Sequence, residues 1–503
     1  MTIVCTGSGG SEEFEAAMQY ARQMACGLAG EVAQRMTHGE AEKLVRERGQ
    51  EFMRLLYQGF LNLRAAREER QSAVVGEDEV VRVSRRRGER SLMSLFGEVT
   101  VKRRAYEHEG VASLHPLDAA LNLPEAKYSH GLERLVAREV AKGAVDGAVA
   151  LVDEVSGGHV PKRQVLEMTA KAARDFGLFH EQGQVDGPPD EDGQLLVLTT
   201  DGKGIVMRPE GLREATRAAA ARERHKKTTR LSKGEKKNRK RMATVAAVYG
   251  IEPQPRRPEE ILAHPEEVPV PARKRPRNKR VWASVERAPE RVIEEMIEEA
   301  SRRDPGHKRQ WVVLVDGDPR QLRHIRRALK RCGVEASIVL DFIHVLEYLW
   351  KAAYCFFAED DPAVEGWVLD HALAVLRGEA SQVAAGMRRS ATLRGLSARE
   401  RKPIDRCAGY LLKYKGLTRY DRYLAEGFPI ATGVIEGACR HLVKDRLEIT
   451  GARWSLPGAE AVLKLRSLHS SGDFDEYFIF HQRQEHERNY ASKIKGLPLA
   501  RAA

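Results

Sequence analysis

The sequence predicts a mixed, α-rich α/β protein, and three observations carry that prediction. The short, mostly β-branched run Val312 to Val315 stops at Asp316-Gly317, and Pro319 then opens a basic segment of helical period. It reads as a buried strand that delivers a carboxylate at its C-terminal end. Leu195 to Leu198 does the same, running into Asp201-Gly202-Lys203. From Ile343 to about Phe428 every signal is helical, including HALAVLRGEASQVAAGM and PIDRCAGYLLKY. In open α/β sheets reactive groups gather at the carboxyl ends of strands, so two such aspartates on neighbouring strands would face one another.

The chain has 503 residues, 42% of them hydrophobic, enough for the cores of two to four domains. Its 84 basic residues exceed its 72 acidic ones, a net charge of +12 that favours an anionic polymer as partner. The six cysteines form no CxxC pair and no Cys/His ligand spacing, which argues against a disulfide framework or a zinc site and suits a reducing cytosol. No apolar run approaches the length of a membrane span, and MTIVCTGSGG has neither a basic n-region nor a long h-region. The expectation is a cytoplasmic protein without a membrane partner.

Residues 1–75 have the composition of two or three amphipathic helices, broken near Thr37-His38-Gly39 and suited to a dimer face or docking platform. Residues 76–185 change period. The stretch 79–107 alternates apolar and polar across two Gly-containing turns, as short antiparallel strands do, with arginines on the outer face. A helical stretch over 129–176 follows, in which a turn, Pro161 and Lys162-Arg163-Gln164 are compatible both with a helix-turn-helix that reads DNA and with two packed core helices.

Beyond the linker DGPPDEDG the expected order is strand 195–200, a basic loop, strand 242–251, strand 279–285, helix 290–302, strand 311–316, helix 320–331, strand 336–341 and helix 342–357. Three strands, a helix, then alternating strand and helix is the order of a ribonuclease H-like core, spanning 186–342, with its first and fourth strands adjacent. An all-helical insertion over 343–430 follows. Residues 431–503 complete the core, with Thr432 as cap and Glu436 in the first turn of a helix.

Asp201, Asp316 and Glu436 can together hold two Mg²⁺ ions, with Mn²⁺ as a substitute. Such a pair, about 4 Å apart, activates a water or a 3′-hydroxyl for in-line displacement at phosphorus. Taken singly, an Asp-Gly after a strand is an ordinary turn and a first-turn Glu an ordinary dipole partner. Asp341 also ends an apolar strand and competes with Asp316; Asp316 is preferred because the fourth strand adjoins the first. Asp341, with His344 one turn on, and Arg440, one turn after Glu436, are then orienting groups. The plainer roles are a helix cap, a core histidine and an intrahelical ion pair.

Two basic clusters lie where nucleic acid would run. Residues 222–241 hold eleven Lys/Arg against two Glu, among them Lys226, Lys227, Arg230, Lys236, Lys237, Arg239, Lys240 and Arg241. Residues 273–280 hold six more, including Arg273, Lys274, Arg275, Lys279 and Arg280. With Lys203 they predict strong, salt-dependent and largely sequence-independent DNA binding. Trp454 is a candidate platform for an unpaired base, or a core indole.

The segments TTDGKGI, RKRMATVAAVY, VLVDGD, VLDFIHVLEYLW, TGVIEGACRHLVKDRLEITGARW and GAEAVLKLRSL together resemble bacterial ISKra-type insertion-sequence transposases, distant relatives of the Mutator-like group. The resemblance runs from about residue 90 to 475. It implies a bacterial, nucleoid-associated DDE transposase with a ribonuclease H-like core and helical insertion that cuts and joins DNA at terminal inverted repeats with Mg²⁺. It carries over Asp201, Asp316 and Glu436 as the triad. Asp341 and His344 look like the Cys/Asp-x-x-His signature of related groups, and a homodimer or higher oligomer on terminal-repeat and target DNA is implied as well. The first 75 residues match nothing diagnostic. The competing readings are a transposase-derived DNA-binding protein without catalysis and a structure-selective nuclease of the same fold.

Overall fold

The structure is a computed structural model that describes residues 12–182, 194–222, 239–262, 274–449 and 451–496. The chain forms two units, Met1–Phe179 with Phe474–Ala503, and His180–Asp473. The expected segment 431–503 is therefore divided between them, and 1–75 shares one unit with most of 76–185.

The first unit opens with helices α1 (Glu15–Ala29) and α2 (His38–Ala66). A capping box starts α2: Thr37 Oγ1 accepts from Glu40 N, and the Glu40 carboxylate accepts from Thr37 N at 2.8 Å. Strands β1 (Val74–Val75), β2 (Val81–Ser94) and β3 (Gly97–Glu107) form one antiparallel sheet. Only one of the two expected glycine turns exists. Gly97, at φ +113°, closes the hairpin, whereas Gly88 lies inside β2 opposite Arg103, so two short strands become one long one. The alternation buries Leu92, Val99 and Val101 against Leu61 of α2 and Leu123. Helices α3 (Pro116–Ala120), α4 (His130–Lys142), α5 (Val145–Ser156) and α6 (Lys162–Ala172) follow; α5 ends at a left-handed Gly157. The C-terminal helix Phe474–His486 returns to this unit, where Tyr477 donates its hydroxyl to Ala172 O at 2.6 Å.

The second unit is organised by a five-stranded sheet: β4 (Leu195–Val206), β5 (Lys240–Ile251), β6 (Arg277–Ser284), β7 (Gln310–Val315) and β8 (Ser337–Leu340). The spatial order is β6-β5-β4-β7-β8, antiparallel from β6 to β4 and parallel from β4 to β8. Trp311 to Val315 are all buried, as a strand covered on both faces requires. Burial of each such aliphatic side chain contributes about 1.5–3 kcal/mol, so β7 has little freedom to shift. Helix α7 (Pro289–Arg303) leads into β7, and α8 (Pro319–Cys332) leaves it under an Asp318 cap.

After β8 the chain is helical, as expected: α9 (Phe342–Ala353), α10 (Ala363–Leu376), α11 (Ala380–Leu393), α12 (Lys402–Lys413) and α13 (Tyr420–Ala425). It returns to the sheet with α14 (Gly433–Ala438), a π-helical turn Cys439–Lys444, and α15 (Leu456–Ser471). Buried Glu460 of α15 accepts from Ser284 Oγ and Val285 N at 3.0 and 2.9 Å, which fixes this last helix to the end of β6.

Candidate functional site

The parallel register of β4 on β7 runs from Leu195 opposite Gln310 to Thr199 opposite Leu314. Two residues further on, the same offset sets Asp201 level with Asp316. Side chains opposite each other on adjacent parallel strands share a face, about 4.8 Å apart. Asp316 directly follows β7, as the sequence suggests. Asp201 does not end its strand. β4 continues to Val206 because its antiparallel partner carries on, with Asp201 opposite Val245, so Asp201 sits where the parallel pairing stops inside a longer hairpin.

Burial pushes the Asp316 carboxyl above its ordinary value, and the negative charge of Asp201 pushes it further. Asp316 Oδ1 accepts from Asp318 N at 2.9 Å. Asp201 Oδ1 accepts from Gly202 N at 2.6 Å and Oδ2 from the Cys439 thiol at 3.3 Å. Burial raises the Cys439 thiol first, then Asp201, with Glu436 one turn earlier adding to the effect. The π-helical turn after α14 thus brings Cys439 onto Asp201 and Glu436 into its electrostatic neighbourhood. Glu436 is exposed. The three acids are not one tight cluster: among the described residues they do not all approach within 4.8 Å of one another. Two hard carboxylates of like charge, engaged by a thiol and backbone amides, nevertheless fit a divalent cation, which would offset the burial and the repulsion that raise Asp316.

Asp341 is fully buried, and its carboxylate is committed. It accepts from Ile343 N at 3.0 Å, His344 Nδ1 at 2.9 Å and Thr432 Oγ1 at 2.5 Å, while its own N–H donates to Val315 O. Thr432 is expected to cap α14 with its side chain. Instead its hydroxyl is spent on Asp341 and only its carbonyl serves the helix, accepting from Ile435 N and Glu436 N. Asp341 therefore ties the end of β8 to the start of the helix that carries Glu436. The Asp341 hydrogen bond raises the His344 pKa, and the charges of Asp341 and Asp316 add to it.

Sequence reasoning missed the tyrosines that hold the Asp316 loop. Tyr410 of α12 donates to Asp316 O at 2.9 Å, Tyr414 donates to Gly317 O, and Tyr348 of α9 stacks on Tyr410 with ring centres 4.2 Å apart. Gly317, at φ +90°, is in the left-handed region that favours glycine, and a Cβ there would press within 3.2 Å of Leu340 Cδ1 and Tyr410 Oη. The Asp-Gly pair was the only signal in the sequence. The i, i+4 spacing of Tyr410 and Tyr414 marks a shared face but not its target.

Several residues expected to bind DNA have other work. Arg280 is buried against Glu299 and over the Trp282 ring. Arg239 is buried as well. Lys240 pairs with Glu448 at 3.0 Å, and Arg241 donates to Val285 O at 2.8 Å. Trp454 donates its indole N–H to Leu447 O at 3.1 Å beneath Arg446, which makes it a structural indole. Arg440 lies 3.6 Å from Asp445 and is not paired with Glu436. Clusters read as loops by composition are here partly strand ends, where pairing claims the side chains. Lys274, Arg275 and Lys279 are exposed, and Lys203 is half-buried two residues along β4 from Asp201. Lys226, Lys227, Arg230, Lys236, Lys237 and Arg273 lie outside the described residues.

A second acidic group, unforeseen in the sequence, lies in the first unit. Asp175, His481 and Glu485 have ligand atoms within 4.8 Å of one another. Their ligand atoms already have other partners. His481 Nδ1 and Nε2 meet Asp175 at 2.6 Å and Glu133 at 3.2 Å, Arg488 meets Asp175 at 2.6 Å, and Lys171 meets Glu485 at 2.8 Å. Arg174 also reaches Glu485. Three cations and a doubly bonded imidazole already compensate the three carboxylates.

No protein-family model matches the chain, and no curated protein matches it.

Proposed function

We propose that the chain is a DDE transposase that cleaves and joins DNA strands at the terminal inverted repeats of a bacterial insertion sequence, working on DNA in the cytoplasm. The observation that carries this reading is that the register of parallel strands β4 and β7, carried two residues past its last pair, brings Asp201 level with Asp316, in a sheet of order β6-β5-β4-β7-β8. That order matches the one expected of a ribonuclease H-like core, in which the helices between β8 and α14 would be the insertion. Asp201, Asp316 and Glu436 would hold two Mg²⁺ ions, or Mn²⁺. Bound there, the ions supply a nucleophilic oxygen at neutral pH and charge stabilisation at phosphorus.

The protein's own groups do the positioning. Tyr410, Tyr414 and the left-handed Gly317 fix the backbone from which Asp316 projects. The Asp341–Thr432 hydrogen bond fixes the entry to the helix of Glu436. Lys274, Arg275 and Lys279 offer exposed positive charge to the DNA backbone. A DNA-bound homodimer or higher oligomer belongs to the proposal.

The test is a terminal-repeat duplex incubated with Mg²⁺ or Mn²⁺, scored for both cleavage and strand transfer. Cleavage with joining supports a transposase, cleavage alone a nuclease of the same fold, and binding without either a DNA-binding derivative. Asp201→Asn, Asp316→Asn and Glu436→Gln should each abolish both reactions while binding persists.

A further inference from the structure

In the first unit a cavity of about 240 Å³ lies between the β2–β3 hairpin, α3 and the C-terminal segment. Its buried polar groups are not all met. Arg90 and Arg103 converge on one carboxylate, Asp118, with Nη1 and Nε at 3.7 and 3.3 Å from Oδ2. Arg90 spends its Nη2 on Pro124 O and Ala126 O at 2.9 and 2.8 Å. Arg103 has no such outlet: its buried Nε and Nη1 make no hydrogen bond. Asp118 Oδ1 and Asn489 Nδ2 are likewise buried without a partner. Lys493, also at the cavity, faces Glu125 at 3.8 Å, and the charge of Glu68 acts on Arg103 beside that of Asp118 without a hydrogen bond to it.

Each unmet group has a meaning. Buried N–H donors without acceptors cost free energy that an oxyanion would return, most strongly through charge-assisted hydrogen bonds. Asp118 Oδ1 is an acceptor among those donors, so the ligand must also bring a proton. Burial lowers the Arg103 pKa and raises that of Asp118, which fits charges that the protein alone compensates poorly.

We propose that this cavity binds a phosphate that carries an ionisable hydroxyl, as inorganic phosphate or as a phosphomonoester. Arg103 and Asn489 donate to its oxygens, and Asp118 Oδ1 accepts its P–OH proton. A phosphodiester lacks that proton, so the site is distinct from a track along the DNA backbone and does not depend on the proposed activity. The phosphate comes either free from solution or from the 5′ end of a strand.

The experiment titrates inorganic phosphate into the full-length protein at constant ionic strength, by calorimetry, with sulfate as the counterpart that carries no proton at neutral pH. One saturable phosphate site is expected, weakened about tenfold or more in Arg103→Gln and less in Asn489→Ala. Sulfate should bind much more weakly than phosphate to the wild type, and Asp118→Asn should erase that preference. Displacement of phosphate by a 5′-phosphorylated oligonucleotide, but not by its 5′-hydroxyl twin, identifies the strand end as the source; no displacement by either identifies free phosphate. Absence of a saturable site, equal binding of phosphate and sulfate, or wild-type affinity in Arg103→Gln overturns the proposal. If Arg103→Gln does not fold by circular dichroism, the phosphate preference and Asn489→Ala decide in its place.

Discussion

Two acidic groups in this chain differ in what surrounds them. Asp175, Glu133 and Glu485 are buried among Lys171, Arg174, Arg488 and His481, with every charge answered. Asp201 and Asp316 accept hydrogen bonds only from a thiol and backbone amides, with His344 as a nearby charge, and burial together with their mutual repulsion raises the Asp316 carboxyl. By ligand distance alone the first group is the better metal site. By compensation it is finished architecture, while the second is an unmet demand. Proximity of acids is thus a poor guide to chemistry; the informative quantity is the charge left unanswered.

The sharpest way to break this contrast is to neutralise one acid from each group. Asp316→Asn should lower strand cleavage by roughly 10³-fold or more, since it removes several kcal/mol of charge stabilisation, yet leave the unfolding midpoint unchanged or slightly raised. Asp175→Asn should do the reverse. It strands Arg488 and His481 and should cost the first unit about 3–5 kcal/mol, read as faster hydrogen exchange in peptides from 474–496, while a folded sample still cleaves. If Asp316→Asn cleaves normally and Asp341→Asn is dead, the assignment of the second aspartate is wrong.

A smaller effect comes from the metal. All five tryptophans, Trp282, Trp311, Trp350, Trp367 and Trp454, lie in the second unit, so indole fluorescence reports that unit alone. Mg²⁺ at about 100 times its dissociation constant should stabilise it by about 2.7 kcal/mol, an increase absent from Asp316→Asn. A comparable Mg²⁺ response in the exchange of 474–496 would mean that the first group binds metal after all.

Next is Thr432. Thr432→Val keeps the shape but removes the hydroxyl that Asp341 accepts, so Glu436 should be placed less well. Cleavage should fall about tenfold with a higher Mg²⁺ requirement, and Thr432→Ser should restore it. Equal activity in the Val and Ser variants would show that the hydrogen bond positions nothing.

The smallest expected effect is in pH, where the two groups should differ in sign. In Glu485, burial raises the pKa, but Lys171 and Arg488 outweigh it and hold the carboxyl at about 2. A depressed carboxylate contributes stability above its unfolded value, near 4.5, and loses it as pH falls toward 2. Asp316 is shifted upward, so its charge costs stability above its folded pKa, and acid relieves that cost. Between pH 6 and 4 the indole-reported stability of the wild type should rise relative to that of Asp316→Asn. The unit as a whole nevertheless loses stability below about pH 6.5, because burial holds His180 and His371 below their ordinary value. Exchange in 474–496 should quicken relative to Glu485→Gln only below about pH 4.5, on top of the loss that buried His130 brings below about pH 6.5.

Much of the second unit was legible because its signals are local. The run of buried residues marks β7, and the expected strand 311–316 differs from the observed Gln310–Val315 by one residue at each end. The expected β4 stopped six residues early because nothing in its own sequence shows that β5 continues to pair. Asp201 and Asp316 were legible as residues that follow apolar runs. Their level register was not, since it depends on how the two strands pair. Long-range partners were hidden altogether: His481 meets Asp175 across 306 residues, and Tyr410 reaches Asp316 across 94. The basic clusters misled in part, because composition cannot tell an exposed lysine from Arg280, which is paired inside the fold.

The first unit is assembled from both ends of the chain, and this sets a timetable for its birth on the ribosome. Residues 180–473 can leave the exit tunnel and fold while the C-terminal helix is still inside it. Until Phe474–His486 and Arg488 emerge, Glu133, Asp175 and Lys171 wait without His481 and their remaining partners. Synthesis that stalls soon after residue 473 would therefore release a chain whose second unit is finished and whose first is not, a natural target for quality control.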